Sequence, residues 1–185
     1  LLFDPAYENA AGRCDLIAGL AQDAHMTAKA IQTDWEDRYA ALMRETGNDT
    51  YRDNTEALQE LYKSVTTGLN FTTGTRLGRP LGTFDRPRPT RAEMRRSGRS
   101  LDNVIVSMTS LDELAQILAG DALGQGIQQR FEIAQEQARA IADRAGGADF
   151  SLVTHPGDRI KVEALQQRIT EVRVFLSEQL GPELG

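Results

Sequence analysis

Residues 158–179, DRIKVEALQQRITEVRVFLSEQ, decide the fold class. Val162, Leu165, Ile169, Val172, Leu176 and Gln179 follow one another at steps of three and four, with polar residues between them. At 3.6 residues per turn these positions share one face of a helix. A helix with a single apolar stripe must lay that stripe against other elements, so the segment predicts a helix docked in a bundle.

The same rhythm repeats upstream. From about Gln125 to Ala145 the stripe is Ile127, Phe131, Ala134, Ala138 and Ile141, and Gly146-Gly147 reads as its end. A link through His155, Pro156 and Gly157 leads to Asp158, an expected helix cap. Leu101, Val104, Ile105, Met108, Leu111, Leu114 and Leu118 mark another helix, with Ser100 as its expected cap. Ser110-x-x-Glu113 has capping-box spacing, which predicts a bend or restart near Thr109. Gly120, Gly124 and Gly126 predict the next turn. Earlier still, Leu58, Leu61, Tyr62, Val65 and Leu69 form a stripe behind a cap at Thr50 and Asp53, running to about Thr75. The first helix is expected from about Gly12 to Glu45, with Leu16, Leu20, Ala24, Ala28, Ile31, Trp35, Tyr39 and Leu42 on one face and Gly47-Asn48-Asp49 as its stop.

No segment alternates as a strand would. The expectation is an all-α, antiparallel bundle of about five helices, with residues 1–185 forming one helical domain. A Pro/Arg-rich loop at 76–99 interrupts it. Gly78, Pro80, Gly82, Pro87 and Pro89 predict that no long helix crosses this region, and Thr90-x-x-Glu93 is spaced to start a short one.

Composition narrows the function classes. Apolar residues make up 40% and charged residues 26%, a globular balance rather than a disordered one. No apolar run approaches the roughly 18–20 residues of a membrane span. The net charge of −6 disfavours nonspecific nucleic-acid binding. Its distribution is uneven: between Arg76 and Arg99 eight arginines face only Asp85 and Glu93, so this segment carries +6 and the remainder −12. Cys14 is the only cysteine, which excludes an internal disulfide and a CxxC metal site, and it is expected to be a small core residue at a helix start. The chain opens on Leu1-Leu2-Phe3 without an initiator Met. An upstream part, with a signal peptide in the precursor, is expected, and Leu1 to Tyr7 are expected to rest against it.

Metal and catalytic motifs are sparse. His25 is followed four residues later by Lys29, so no HExxH pair exists. His155 and Asp158 form an HxxD in a Pro-Gly loop. Both histidines are expected to be surface or structural residues. No GxSxG elbow accompanies them. Asp34, Glu36 and Asp37 around Trp35 read as a solvated helix face. The remaining candidate is an anion or carboxylate pocket of Arg79, Arg96, Ser97, Arg99 and Ser100, since guanidinium forks suit oxyanions. The competing reading is that these arginines pair with acids of neighbouring helices or of the upstream part. No catalytic residue and no metal ligand is assigned.

Several separated pieces, in order, resemble the imelysin family, the insulin-cleaving metallopeptidase-like proteins. They are Leu1-Leu2-Phe3-Asp4, Arg13-Cys14 opening a helix that ends near Trp35, and the turn Arg79-Pro80-Leu81-Gly82. The run Arg96-Ser97-Gly98-Arg99-Ser100-Leu101-Asp102-Asn103 resembles the family's Ser-rich lead into the following helix, and Leu180-Gly181-Pro182-Glu183-Leu184-Gly185 the approach to its C-terminal tail. The resemblance implies two helical bundles, of which this chain supplies mainly the C-terminal one, so that an upstream N-terminal bundle of the same protein is its first partner. It also implies a periplasmic or secreted location, membrane-associated in some cases, and a link to iron-uptake proteins and haem. The family's Gly-x-His-x-x-Glu signature is not in this chain. Iron or another divalent metal is therefore expected outside this segment. The expected function is a noncatalytic binding or scaffold component of iron or haem uptake. The alternative is a metallopeptidase whose ligands lie upstream, and a third reading is an adaptor bundle using its acidic helices.

Overall fold

The computed structural model describes residues 10–144 and 146–185, and the expected contacts of Leu1 to Tyr7 fall outside them. Among the described residues there is no strand, only an isolated bridge between Thr83 and Arg86. The chain divides into two compact units, Leu1–Ala57 and Leu58–Gly185. Among the described residues no helix is long and apolar enough to cross a membrane.

In the first unit, α1 (Ala10–Asp34) continues through a π-helical turn (Trp35–Tyr39) into α2 (Ala40–Arg44). Its expected core face is exposed: Leu20 is 62% and Ile31 67% accessible, and Leu16 and Trp35 are open as well. Within this unit the described residues include no second long helix to cover the stripe. Cys14 is exposed too, against the expectation of a core residue. Burial returns at the far end, where Tyr39 and Tyr51 share a hydroxyl hydrogen bond of 3.0 Å and Tyr51 is buried. The loop between them is built on Asn48, whose amide donates to the Leu42 and Glu45 carbonyls and whose Oδ1 accepts from Thr50 and Tyr51.

α3 (Asn54–Phe71) is capped by Asp53, whose carboxylate accepts the Glu56 N–H, while Thr50 takes no part in the cap. The division between the units falls in its first turn. The helix does not break at Gly78. It widens into a π turn (Thr72–Leu77) and runs on as α4 (Gly78–Leu81). The wider turn leaves the Thr73 carbonyl to accept from the Gln166 side chain as well as the Gly78 N–H. The stop comes at Gly82, with φ +60° and the Arg86 carbonyl pressed against the place a Cβ would occupy.

α5 (Ser100–Ala142) is nominally one helix, yet Gly120 has φ 60° and ψ −167°. Asp112 and Gln135 lie within 3.5 Å of each other across that residue, whereas a straight helix would hold them about 35 Å apart. Gly120 therefore folds α5 into two antiparallel arms. The expected bend near Thr109 is absent, because Ser110 sits inside a continuous helix. α6 (Pro156–Phe175) starts on Pro156 and carries on through a π turn (Leu176–Leu180). Contacts fix the directions: Gly68 against Leu111, Arg76 against Ser107, Gln137 against Lys161, Gly126 against Phe175, and Thr73 against Gln166. In each pair the numbers rise along one helix and fall along the other. α3, the two arms of α5, and α6 form an antiparallel four-helix arrangement, and α1 is the fifth long helix.

The core of this unit is made by the stripes read from the sequence. Val65, Leu69, Leu101, Val104, Met108, Ile127, Phe131, Ile141, Val162, Leu165, Ile169, Val172 and Leu176 are almost wholly buried. One end of the bundle gathers the end of α4, the start of α5, the end of α5 and the start of α6. The Pro/Arg-rich loop lies there.

Candidate functional site

The arginine-rich end is built on a tight turn. After Gly82, the Arg86 N–H reaches the Thr83 carbonyl and the Arg88 N–H returns to the Pro80 carbonyl. Pro89–Arg91 forms one 3-10 turn and Arg95–Ser97 another, in place of the short helix expected from Thr90. Arg159 anchors the turn from below. It is buried, and its guanidinium donates to the Leu81 carbonyl at 2.5 Å and to Glu163 at 2.7 Å. Leaving that carbonyl unmet in the core would cost about 1–3 kcal/mol.

Acids at this end neutralise only part of the positive charge. Arg76 is paired with Glu93 at 2.8 Å and donates to Ser107. Arg95 stands 3.8 Å from Asp149, and Arg99 4.0 Å from Asp102. Asp158 serves Arg144 and Lys161. It does not cap α6. Lys161, ahead of other causes, holds its carboxyl below the usual range. Arg79, Arg86, Arg88, Arg91 and Arg96 have no acidic partner among the described residues. All but Arg88 are exposed.

The five residues singled out from the sequence therefore separate. Arg79 sits on α4 and Arg96 on the second 3-10 turn, and both are free. The Ser97 hydroxyl donates to the Met94 carbonyl, and the Ser100 hydroxyl, buried, donates to the Glu93 carbonyl at 2.6 Å. Ser100 is the first residue of α5 and provides no side-chain cap. Arg99 leans toward Asp102. The two serines thus hold the loop to itself.

A shallow cavity of about 440 Å³ opens beside them, lined by Thr90, Ala92, Met94, Arg95 and Arg96. Met94 adopts φ 53°, an unfavourable conformation for a residue with a Cβ, and its side chain is 52% exposed. The Nε of Arg95 is buried without a hydrogen-bond acceptor. Hydrogen bonds from Ser151 do most to keep the Asp149 carboxyl below the usual range, and the charge of Arg95 adds a smaller contribution in the same direction. Thr90 and Arg95 were not among the residues chosen from the sequence. In the sequence Thr90 reads only as a helix start, and nothing in a linear pattern reveals an Nε without an acceptor.

The histidines stay apart from any such cluster. His25 is exposed on α1, and His155 meets Thr154 at 3.4 Å in the link before α6. The described residues include no group of three or more His, Cys, Asp and Glu placed to share an ion. These residues do not fit a bound metal. Asp34 accepts from two of the guanidinium nitrogens of Arg38 and Glu36 accepts from Gln32, and Asp34, Glu36 and Asp37 are all exposed, a solvated helix face around Trp35.

Comparison with known proteins gives one positive finding. The family model described as Imelysin (Peptidase M75) matches residues 1–174. No curated protein matches the chain, and no solved structure does.

Proposed function

Because the chain belongs to the imelysin family, we propose that it serves as a noncatalytic binding or scaffold component of a periplasmic protein linked to iron or haem uptake. What supports a binding role is the set of arginines without acidic partners at one end of the second unit. A packed bundle that holds its own acids close and leaves guanidinium groups outward offers a fixed receptor for anionic groups, of which haem propionates and iron chelates are examples. In this reading the metal is held outside the segment described, and the upstream bundle of the same protein is the first partner.

The test uses the intact protein, incubated with ferrous and ferric iron, with haem, and with a peptide substrate in the presence and absence of a chelator. Retention of iron or haem with the peptide left uncut is the expected result. Chelator-sensitive cleavage would replace this reading with a metallopeptidase, and failure to retain either iron or haem would remove the link to uptake.

A further inference from the structure

We infer that the cavity bounded by Thr90, Met94, Arg95 and Arg96 is a binding site for a doubly charged oxyanion group, a phosphate or a pair of carboxylates. This deepens the binding role proposed above and rests on it. Three independent observations meet there. Arg95 and Arg96 are adjacent, both line the same cavity, and Arg96 has no partner. The Arg95 guanidinium has a buried Nε without an acceptor, and its nearest acid oxygen, Asp149 Oδ2 at 3.8 Å, is beyond hydrogen-bond distance, while Asp149 Oδ1 accepts from the Ser151 N–H. Thr90 adds a hydroxyl for which no internal bond competes.

The chemistry follows from these groups. A guanidinium presents parallel N–H donors that match two oxygens of one anion. Arg95 lines the cavity and holds Asp149 only at 3.8 Å, so a guanidinium fork is available there, and Arg96 supplies a second. A group with two negative charges answers two guanidinium groups, whereas chloride meets neither geometry. Arg79, Arg86, Arg88 and Arg91 carry further positive charge at the same end, which raises the local concentration of anions and speeds their arrival. The strained Met94 backbone fixes where Arg95 starts.

The experiment is calorimetric titration of the full chain, without metal, with inorganic phosphate, with citrate, and with chloride as control, in about 0.15 M salt. One phosphate or citrate per chain is expected, weakened about tenfold or more in Arg96→Gln and in Arg95→Gln and unchanged in Arg168→Gln, which removes a cation from the middle of α6. Arg96 is exposed and unpaired, so its variant keeps the fold, and a matching thermal melt verifies this. Binding of phosphate alone identifies a phosphoryl ligand, and binding of citrate alone a carboxylate ligand. Absence of binding up to about 10 mM overturns the site, as does an equal loss in Arg168→Gln. Neither overturning result affects iron or haem retention by the intact protein, so the two readings fail separately.

Discussion

Asp112 is a carboxylate in a place that favours its neutral form. It is buried between the arms of α5, accepting from Gln116 at 2.7 Å and more distantly from Gln135. Burial holds its pKa above the usual range, and the amide of Gln116 offsets only part of this. The folded chain thus binds the proton more tightly than the unfolded chain. The stability this provides is complete below the ordinary carboxylate range and is lost as pH rises through the raised pKa. Asp112→Asn should therefore melt higher than the parent at neutral pH and together with it near about pH 3, as thermal melts at the two pH values would show. Arg159 is the second residue with a defined role. Arg159→Met keeps the buried stem but leaves the Leu81 carbonyl without its donor. Urea denaturation should show an unfolding free energy lowered by about 1–3 kcal/mol, and most of it comes from the carbonyl, since Glu163 is 41% exposed and that ion pair contributes little.

Among the elements, α5 turns on one glycine. Its φ and ψ at Gly120 belong to a region that other residues hardly enter, and no atom lies within 4 Å of the place its Cβ would occupy. Gly120→Ala should cost about 1–3 kcal/mol from the backbone alone. Gly124→Ala, four residues on, is also uncrowded but sits inside the helix and should gain up to about 1 kcal/mol. Chemical denaturation of the pair separates conformation from packing. The helices themselves were legible because each buried stripe repeats at 3.6 residues, from Leu69 to Leu176. The reversal was legible only as a cluster of three glycines, and nothing in the sequence distinguishes Gly120, which needs its left-handed backbone, from Gly124 and Gly126, which do not. Caps were read less well. Ser100 and Asp158 have the right residue types at helix starts, but a neighbouring carbonyl and two nearby cations outcompete the backbone N–H groups for them.

For the whole molecule, the two units differ in what holds their helices. α6 is buried along Val162, Leu165, Ile169 and Val172, while the described part of α1 has no wholly buried side chain. A helix without burial depends on its own propensity and frays readily. Hydrogen exchange should find α1 amides exchanging orders of magnitude faster than those of α6. The charge distribution was equally visible in the sequence, since eight arginines between 76 and 99 need no structure to be counted. Which of them are spoken for was not, because nothing in the order of residues shows that Glu93 pairs with Arg76 or that Asp149, more than fifty positions on, only approaches Arg95.

The single-residue reversal at Gly120 also sets an order of events. The arms of α5 can meet after closing almost no loop, so their mutual contacts come at little entropic cost. α3 and α6 must instead be brought in across the Pro/Arg-rich loop and the link after Ala142. The α5 hairpin is thus the natural first assembly, with Met108 and Phe131 on its arms, and the outer helices arrive on a surface already made. A substitution at Phe131 would slow folding, and one at Leu69 would chiefly hasten unfolding.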